Sequence, residues 1–141
     1  MKSIIGKEFP KKVIPLIENA KQSIKIIVFD WRWYPNDPAN PVQLFNQSII
    51  RAKRRGVDVK IISNCESVLK IFRDQGIEAK KPVSKNLVHV KLMIFDDKDI
   101  VIGSHNFTQN AFTTNFEVST YIPDCPDILN YLNFFNSLWQ L

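Results

Sequence analysis

The sequence predicts an α/β fold, a mixed β-sheet flanked by helices on both faces. Three observations carry this. Short runs rich in isoleucine and valine alternate along the chain with segments whose apolar residues recur at helical spacing. Gly56 and Gly76 each stop a helical segment, and a strand-like run follows at once. Two further apolar runs, Leu87 to Phe95 and Asp99 to Ile102, meet around Asp96, Asp97 and Lys98 as a hairpin, which puts antiparallel pairing into the sheet.

Taken in order, Ser3 to Ile5 reads as a short edge strand. Lys11 to Ala20 places Val13, Ile14, Leu16, Ile17 and Ala20 at helical spacing, with Pro10 near its start. Ser23 to Phe29 reads as a core strand. Tyr34 to Pro41 holds three prolines and is a loop. Val42 to Arg55 is a helix on Leu44, Phe45, Ile49 and Ala52, and Val57 to Ile62 a second strand. Glu66 to Gln75 is a helix, and Ile77 to Ala79 a short strand. After the hairpin, Asn115 to Tyr121 is a strand. Asp127 to Gln140 closes the chain as a helix with Ile128, Leu129, Leu132, Phe135, Leu138 and Trp139 available for packing.

A length of 141 residues fits one domain, 1–141. No run of about 18 apolar residues occurs, so no stable membrane insertion is expected. Met1 to Pro10 lacks the apolar stretch of a signal peptide, and the expected location is cytoplasmic. Cys65 and Cys125 lack metal-like spacing and read as free thiols. Two cysteines and two histidines make no zinc site. The net charge of +5 favours polyanionic partners, nucleic acid or anionic lipid. The densest basic run, Arg51, Lys53, Arg54 and Arg55, reads as a solvated helix end where cations meet the negative pole of the helix.

The chemistry concentrates between His89 and Glu117. His89 and Lys91, two apart on a predicted strand, project to the same side. Gly103, at the end of the next strand, lets the backbone come close to a ligand. Ser104 and Asn106 add a hydroxyl and an amide. Together these make a phosphate pocket with a nucleophile: the lysine neutralises charge, the amide and hydroxyl orient the oxygens, and the imidazole attacks. Glu117 is the candidate to hold the imidazole tautomer. Phe29-Asp30-Trp31-Arg32-Trp33-Tyr34 ends a core strand, where open α/β sheets form their binding crevice. Asp30, Trp31, Arg32 and Trp33 are therefore candidates for a substrate groove, with the alternative that Trp31 and Trp33 cover the edge of the core.

His89-x-Lys91, four residues, Asp96, six residues, then Gly103-Ser104-x-Asn106 resembles the signature of the phospholipase D superfamily. The continuation Phe107-Thr108, Ala111 and Asn115-x-Glu117 resembles its small single-motif branch, which includes bacterial endonucleases and cardiolipin-hydrolase relatives. Ser23 to Phe29 is similar to the family's first core strand, and Arg54-Arg55-Gly56-Val57-Asp58-Val59 to its helix-to-strand turn. The resemblance implies a phospholipase D-like α/β/α sandwich and a phosphodiesterase without metal or other cofactor. It implies that His89 attacks phosphorus and that Lys91 and Asn106 bind phosphoryl oxygens. Ser104 would bond near the nucleophile or the phosphate, Glu117 would accept from His89, and Asp96 would anchor the hairpin.

The reaction needs two proton-handling groups in opposite protonation states. His105 lies between Ser104 and Asn106 and is expected to point away from the pocket. The second histidine is then expected from His89 of another copy in a two-fold homodimer. The bond is a phosphodiester. The substrate expected first is DNA or RNA. A phospholipid, or a binding module without turnover, are the alternatives.

Overall fold

The computed structural model describes residues 1–141. It contains a seven-stranded mixed sheet and five helices. In chain order these are β1 (Lys2–Ile5), α1 (Glu8–Asn19), β2 (Ser23–Val28), α2 (Pro41–Arg54), β3 (Asp58–Ser63), α3 (Glu66–Asp74), β4 (Glu78–Lys80), β5 (Leu92–Phe95), β6 (Asp99–Gly103), α4 (Gln109–Thr113), β7 (Val118–Ile122) and α5 (Ile128–Trp139). The strand order is β1-β7-β6-β5-β2-β3-β4. β2, β3 and β4 run parallel, and the other neighbours are antiparallel.

Alternation along the strands divides the core in two. Ile24, Ile26 and Val28 of β2 and Met93 and Phe95 of β5 face a large layer built with α1, α2, α3 and α4. Ile27, Leu92 and Ile94 face the opposite layer, which α5 covers through Phe135 and the partly buried Leu132 and Trp139. Helices therefore lie on both faces, four on one and one on the other. None is long and apolar enough to cross a membrane.

Local chemistry explains the helix ends. Asn40 caps α2 by accepting from the Val42 N–H at 2.9 Å, with Pro41 in the first turn. Arg51, Lys53 and Arg54 occupy the last turn of α2, as the dipole favours. Arg55 does more: its Nη2 donates to the carbonyls of Ile17 and Ala20, both at 3.0 Å, and so ties off the end of α1. Cys65 is half-buried, Cys125 is buried, and neither is bridged.

The hairpin between β5 and β6 turns on Asp96 and Asp97, both at positive φ (54° and 53°). The Lys98 N–H closes the turn on the Phe95 carbonyl at 3.1 Å. Asp96 Oδ1 accepts the N–H groups of Lys21, Gln22 and Ser23 at 3.1, 2.7 and 3.1 Å, which anchors the hairpin to the start of β2. Burial acts to raise this carboxyl, but the three N–H donors outweigh it and hold its pKa below the ordinary value. Its stabilising effect is therefore present above about pH 4, where the unfolded carboxyl ionises. It is lost as pH falls through the lower folded value. Asp96→Asn keeps an acceptor and tolerates positive φ but removes the charge. It is expected to cost about 1 kcal/mol at pH 7. Urea denaturation at pH 7 and pH 3 checks this, because the gap between parent and variant should narrow toward the acid end.

Two expectations need correction, and one helix is additional. Leu87 to Lys91 is not part of a strand, and the ladder between β2 and β5 ends at the Ile27–Leu92 pair. Asn115 to Glu117 likewise precedes β7 rather than forming it. The helix α4 had no sequence assignment. It is a single short turn, capped by Thr108 Oγ1 accepting from the Ala111 N–H at 3.2 Å.

Candidate active site

Strand directions put Asp96, in the hairpin, at one end of the sheet and the other motif residues at the opposite end. β1, β2, β3 and β6 finish there, while β5 and β7 begin there. Phe29 and Asp30 follow β2, Asn64 and Cys65 follow β3, and Ser104 to Asn106 follow β6. His89 and Lys91 precede β5, and Asn115 and Glu117 precede β7.

His89 is exposed and its ring rests against Phe29, with centroids 4.8 Å apart. Lys91 Nζ lies 3.2 Å from Nδ1 and 3.4 Å from Nε2 of His89, and donates to the His89 carbonyl at 3.0 Å. The two side chains share one side, as their spacing requires, even without a ladder. Burial lowers the Lys91 pKa below the usual range, and the Glu117 carboxylate nearby works against that shift.

Asn106 Oδ1 accepts from the Asp30 N–H at 3.0 Å. This fixes the amide orientation and leaves the two Nδ2 protons for a ligand. Ser104 Oγ donates to Glu117 Oε1 at 2.5 Å and accepts from the Val118 N–H at 3.0 Å. Its one proton is thus engaged by Glu117 rather than by a phosphate. Glu117 Oε2 accepts from Asn115 Nδ2 at 3.1 Å. The expected bond from His89 to Glu117 is not formed within this chain; the carboxylate accepts from Ser104 and Asn115 instead.

His105 faces the interior at 1% exposure, stacked on Phe9 with centroids 4.6 Å apart. Its Nε2 meets the Gly6 carbonyl at 2.8 Å and must be the protonated nitrogen, so Nδ1 accepts from Ser119 Oγ at 2.7 Å. Burial pushes its pKa down, which suits a neutral core residue. As expected, it points away from the pocket.

The candidate groove divides. Asp30 and Arg32, paired at 3.2 Å, line an open groove of about 670 Å³ with Tyr34, Asn106, Asn110 and Glu117. Trp31 and Trp33 do not line it. Trp31 is 1% exposed and donates Nε1–H to Asn46 Oδ1 at 2.7 Å, deep among Phe45, Phe72 and Phe107. Trp33 is half-buried, edge-on to Phe72. The alternation of β2, which puts Ile24, Ile26 and Val28 into the large layer, shifts beyond the strand, so that Trp31 enters the same layer while Arg32 is exposed.

Phe29, Asn64 and Asn115 carry contacts in the site that the sequence reading missed. Asn115 was visible only as a motif neighbour, and Asn64 stands outside the motif. Cys65 lies just beneath. Burial pushes its thiol up, and as a thiol it donates to Asp30 Oδ1 at 3.3 Å. No group of three or more His, Cys, Asp or Glu side chains is placed to hold a metal ion.

The profile of the family described as "Cardiolipin synthase, PLD-like domain" matches residues 13–139. Among curated proteins, the chain is 25% identical over 143 residues to a probable phospholipase D of Caenorhabditis elegans, covering 91% of this chain and 26% of that protein. It is 26% identical over 136 residues to the mitochondrial cardiolipin hydrolase of Chlamydomonas reinhardtii, covering 92% of this chain and 57% of that one. The chain thus spans between about a quarter and a little over half the length of these relatives. Nuc from Salmonella typhimurium, a phospholipase D family member of known structure, superposes with a TM-score of 0.82 at 24% identity, over 99% of this chain and 94% of that one. At that identity the superposition speaks for the fold, while the family match runs through both halves of the motif from His89 to Asn106. The chain belongs to the phospholipase D superfamily, through its PLD-like domain.

Proposed function

We propose that this protein is a metal-independent phosphodiesterase that cleaves nucleic acid through a phosphohistidine at a homodimer interface. The observation that carries the reading is that one end of the sheet gathers the His89–Lys91 pair on Phe29 and Asn106 on the adjoining Asp30, beside a polar groove lined by Asp30, Arg32, Asn106 and Glu117. The His89 imidazole has Lys91 Nζ as its one hydrogen-bond partner, and the Asn106 amide keeps both its Nδ2 protons free. A ring nitrogen of His89 attacks phosphorus, and the bond to the leaving oxygen breaks. The leaving oxygen takes a proton from a protonated histidine. Water then attacks the phosphohistidine, gives its proton to that second histidine, and the P–N bond breaks. Lys91 and the Asn106 amide stabilise the charge that gathers on the phosphoryl oxygens.

Two observations support a second copy. His105, the other histidine of the chain, is buried and bonded on both nitrogens, so no second histidine within the chain reaches the pocket. Beside Glu117, Phe116 is fully exposed, with Val118 and Ile5 half-exposed on adjoining strands. This apolar patch at the rim suits burial against its own copy.

The groove favours nucleic acid. Its lining is almost wholly polar, with amides, hydroxyls, Arg32 and the carboxylates of Asp30 and Glu117, and offers little surface to acyl chains. The net charge of +5 adds attraction for phosphates. The lipid reading draws on the relatives named cardiolipin hydrolase.

The test is cleavage of labelled single- and double-stranded DNA and RNA in excess EDTA, beside hydrolysis of cardiolipin vesicles. Cleavage of nucleic acid in EDTA is the expected result. Hydrolysis of cardiolipin alone transfers the mechanism to a lipid. Activity that needs added metal refutes the metal-free reaction.

A further inference from the structure

We propose that Asn64, outside the motif, is a positioning residue that sets His89 for attack; the proposal rests on the phosphodiesterase reading above. The nucleophile needs such a device. The ladder between β2 and β5 stops at Ile27 and Leu92, so Val88 to Lys91 runs on without strand pairing to β2. Yet β2 also runs on, to Phe29 and Asp30, and the gap between the two extensions has to be spanned.

Asn64 spans it. Its Nδ2 donates to the Val88 carbonyl at 2.9 Å and to the Phe29 carbonyl at 3.3 Å. A primary amide nitrogen has two protons, and both are engaged. One side chain at the end of β3 therefore pins the residue before the nucleophile to the end of the central strand. Phe29 also supplies the surface on which the His89 ring rests, and its ring lies 5.8 Å from Lys91 Nζ.

The next residue along β2 completes the link. The Asp30 N–H holds Asn106 Oδ1 at 3.0 Å, and the Asp30 carbonyl accepts from the Phe107 N–H at 3.0 Å. Phe29 and Asp30 thus stand between the two halves of the motif. The half with His89 hangs on them through Asn64, and the half with Asn106 bonds to them directly. Their spacing sets the distance from attacking nitrogen to bound phosphate. Asn64 touches neither of those groups, so its effect on the reaction passes through the 88–89 backbone.

Asn64→Asp is the informative variant. It keeps the shape but turns a two-proton donor into a carboxylate facing two carbonyl oxygens, which frees Val88. A displacement of about 1 Å in a nucleophile lowers the rate about 100-fold. For Asn64→Asp, and for Asn64→Ala as the neutral counterpart, kcat is expected to fall about 100-fold while KM stays within about threefold. The phosphohistidine trapped in a single turnover should form more slowly by the same factor. A purely structural role would lower the melting temperature and leave kcat untouched in the folded protein. A folded Asn64→Asp with the parent's kcat overturns the proposal, and so does a loss confined to KM.

Backbone 15N relaxation at Val88, His89 and Val90 reads the same claim without substrate. Order in that segment is expected to drop toward the flexible range in the variants, below about 0.6. Unchanged order there overturns the proposal. Should the parent cleave none of the substrates, the phosphodiesterase reading fails, and the relaxation result still decides whether Asn64 holds the segment.

Discussion

Replacing His89 with alanine is expected to lower phosphodiesterase activity by about 10⁴-fold or more while leaving the melting temperature unchanged. The separation of the two effects follows from the position of the side chain. His89 is exposed, and its ring touches only Phe29 and Lys91, so the core loses nothing when it goes. The buried His105 cannot substitute, since both its nitrogens are engaged by Gly6 and Ser119. Initial rates in EDTA beside a thermal melt give both numbers. The same variant tests the two-chain site. Added in excess to the parent, it is expected to suppress the parent's activity, because mixed dimers carry one attacking or one proton-donating histidine but not both. If the rate per parent chain stays constant as the variant is added, the second histidine does not come from another copy.

The sheet and its chemistry were legible in the sequence to different depths. Strand and helix assignments for β2, α2, β3 and α3 rest on apolar periodicity, which tertiary packing then satisfied, as with Ile24, Ile26 and Val28 alternating against Ile27. The motif was legible because its residue types and spacing are specific. Asp96 showed its anchoring role through the turn it occupies. What failed depended on partners distant in sequence. Leu87 to Lys91 has a strand-like composition, but strand state requires a paired neighbour, and the ladder between β2 and β5 stops at Ile27 and Leu92 although β2 continues to Val28. Trp31 had two readings, a stacking platform or cover for the core, and the second holds: it is buried, with Asn46, 15 residues on, accepting from its indole N–H. Glu117 was matched to His89 by chemistry, whereas the fold brings Ser104 closer. Asn64 gave no signal, because its importance lies in two backbone carbonyls, Phe29 and Val88, that no side-chain pattern reveals.

Gly103→Ala is expected to destabilise the protein by about 3 kcal/mol, near the upper end for overpacking, and to lower the melting temperature by roughly 10 °C. Gly103 pairs with Ser119 across β6 and β7. A Cβ built there collides with the Ser119 Cα and Oγ and with the Val118 carbonyl. Two of these atoms are backbone, so no side-chain rotation relieves the clash and the strands must part. Parting them disturbs both sides of the motif's second half. Ser119 Oγ holds His105 in the core, and the Val118 backbone bonds Ser104 through both its N–H and its carbonyl. Ser104 in turn holds Glu117. Activity should therefore fall with stability, and more steeply. Gly56→Ala provides the contrast. Its surroundings are open, with nothing within 4 Å of the added carbon, but its φ of +99° strains any side chain. That strain alone is expected to cost about 1 kcal/mol, far from the site, with kcat preserved. Chemical denaturation of both variants beside their kcat values separates a glycine required for space from one required for backbone angle. Equal stability losses, or a Gly103→Ala enzyme with the parent's kcat, would mean that β7 yields without moving Ser104.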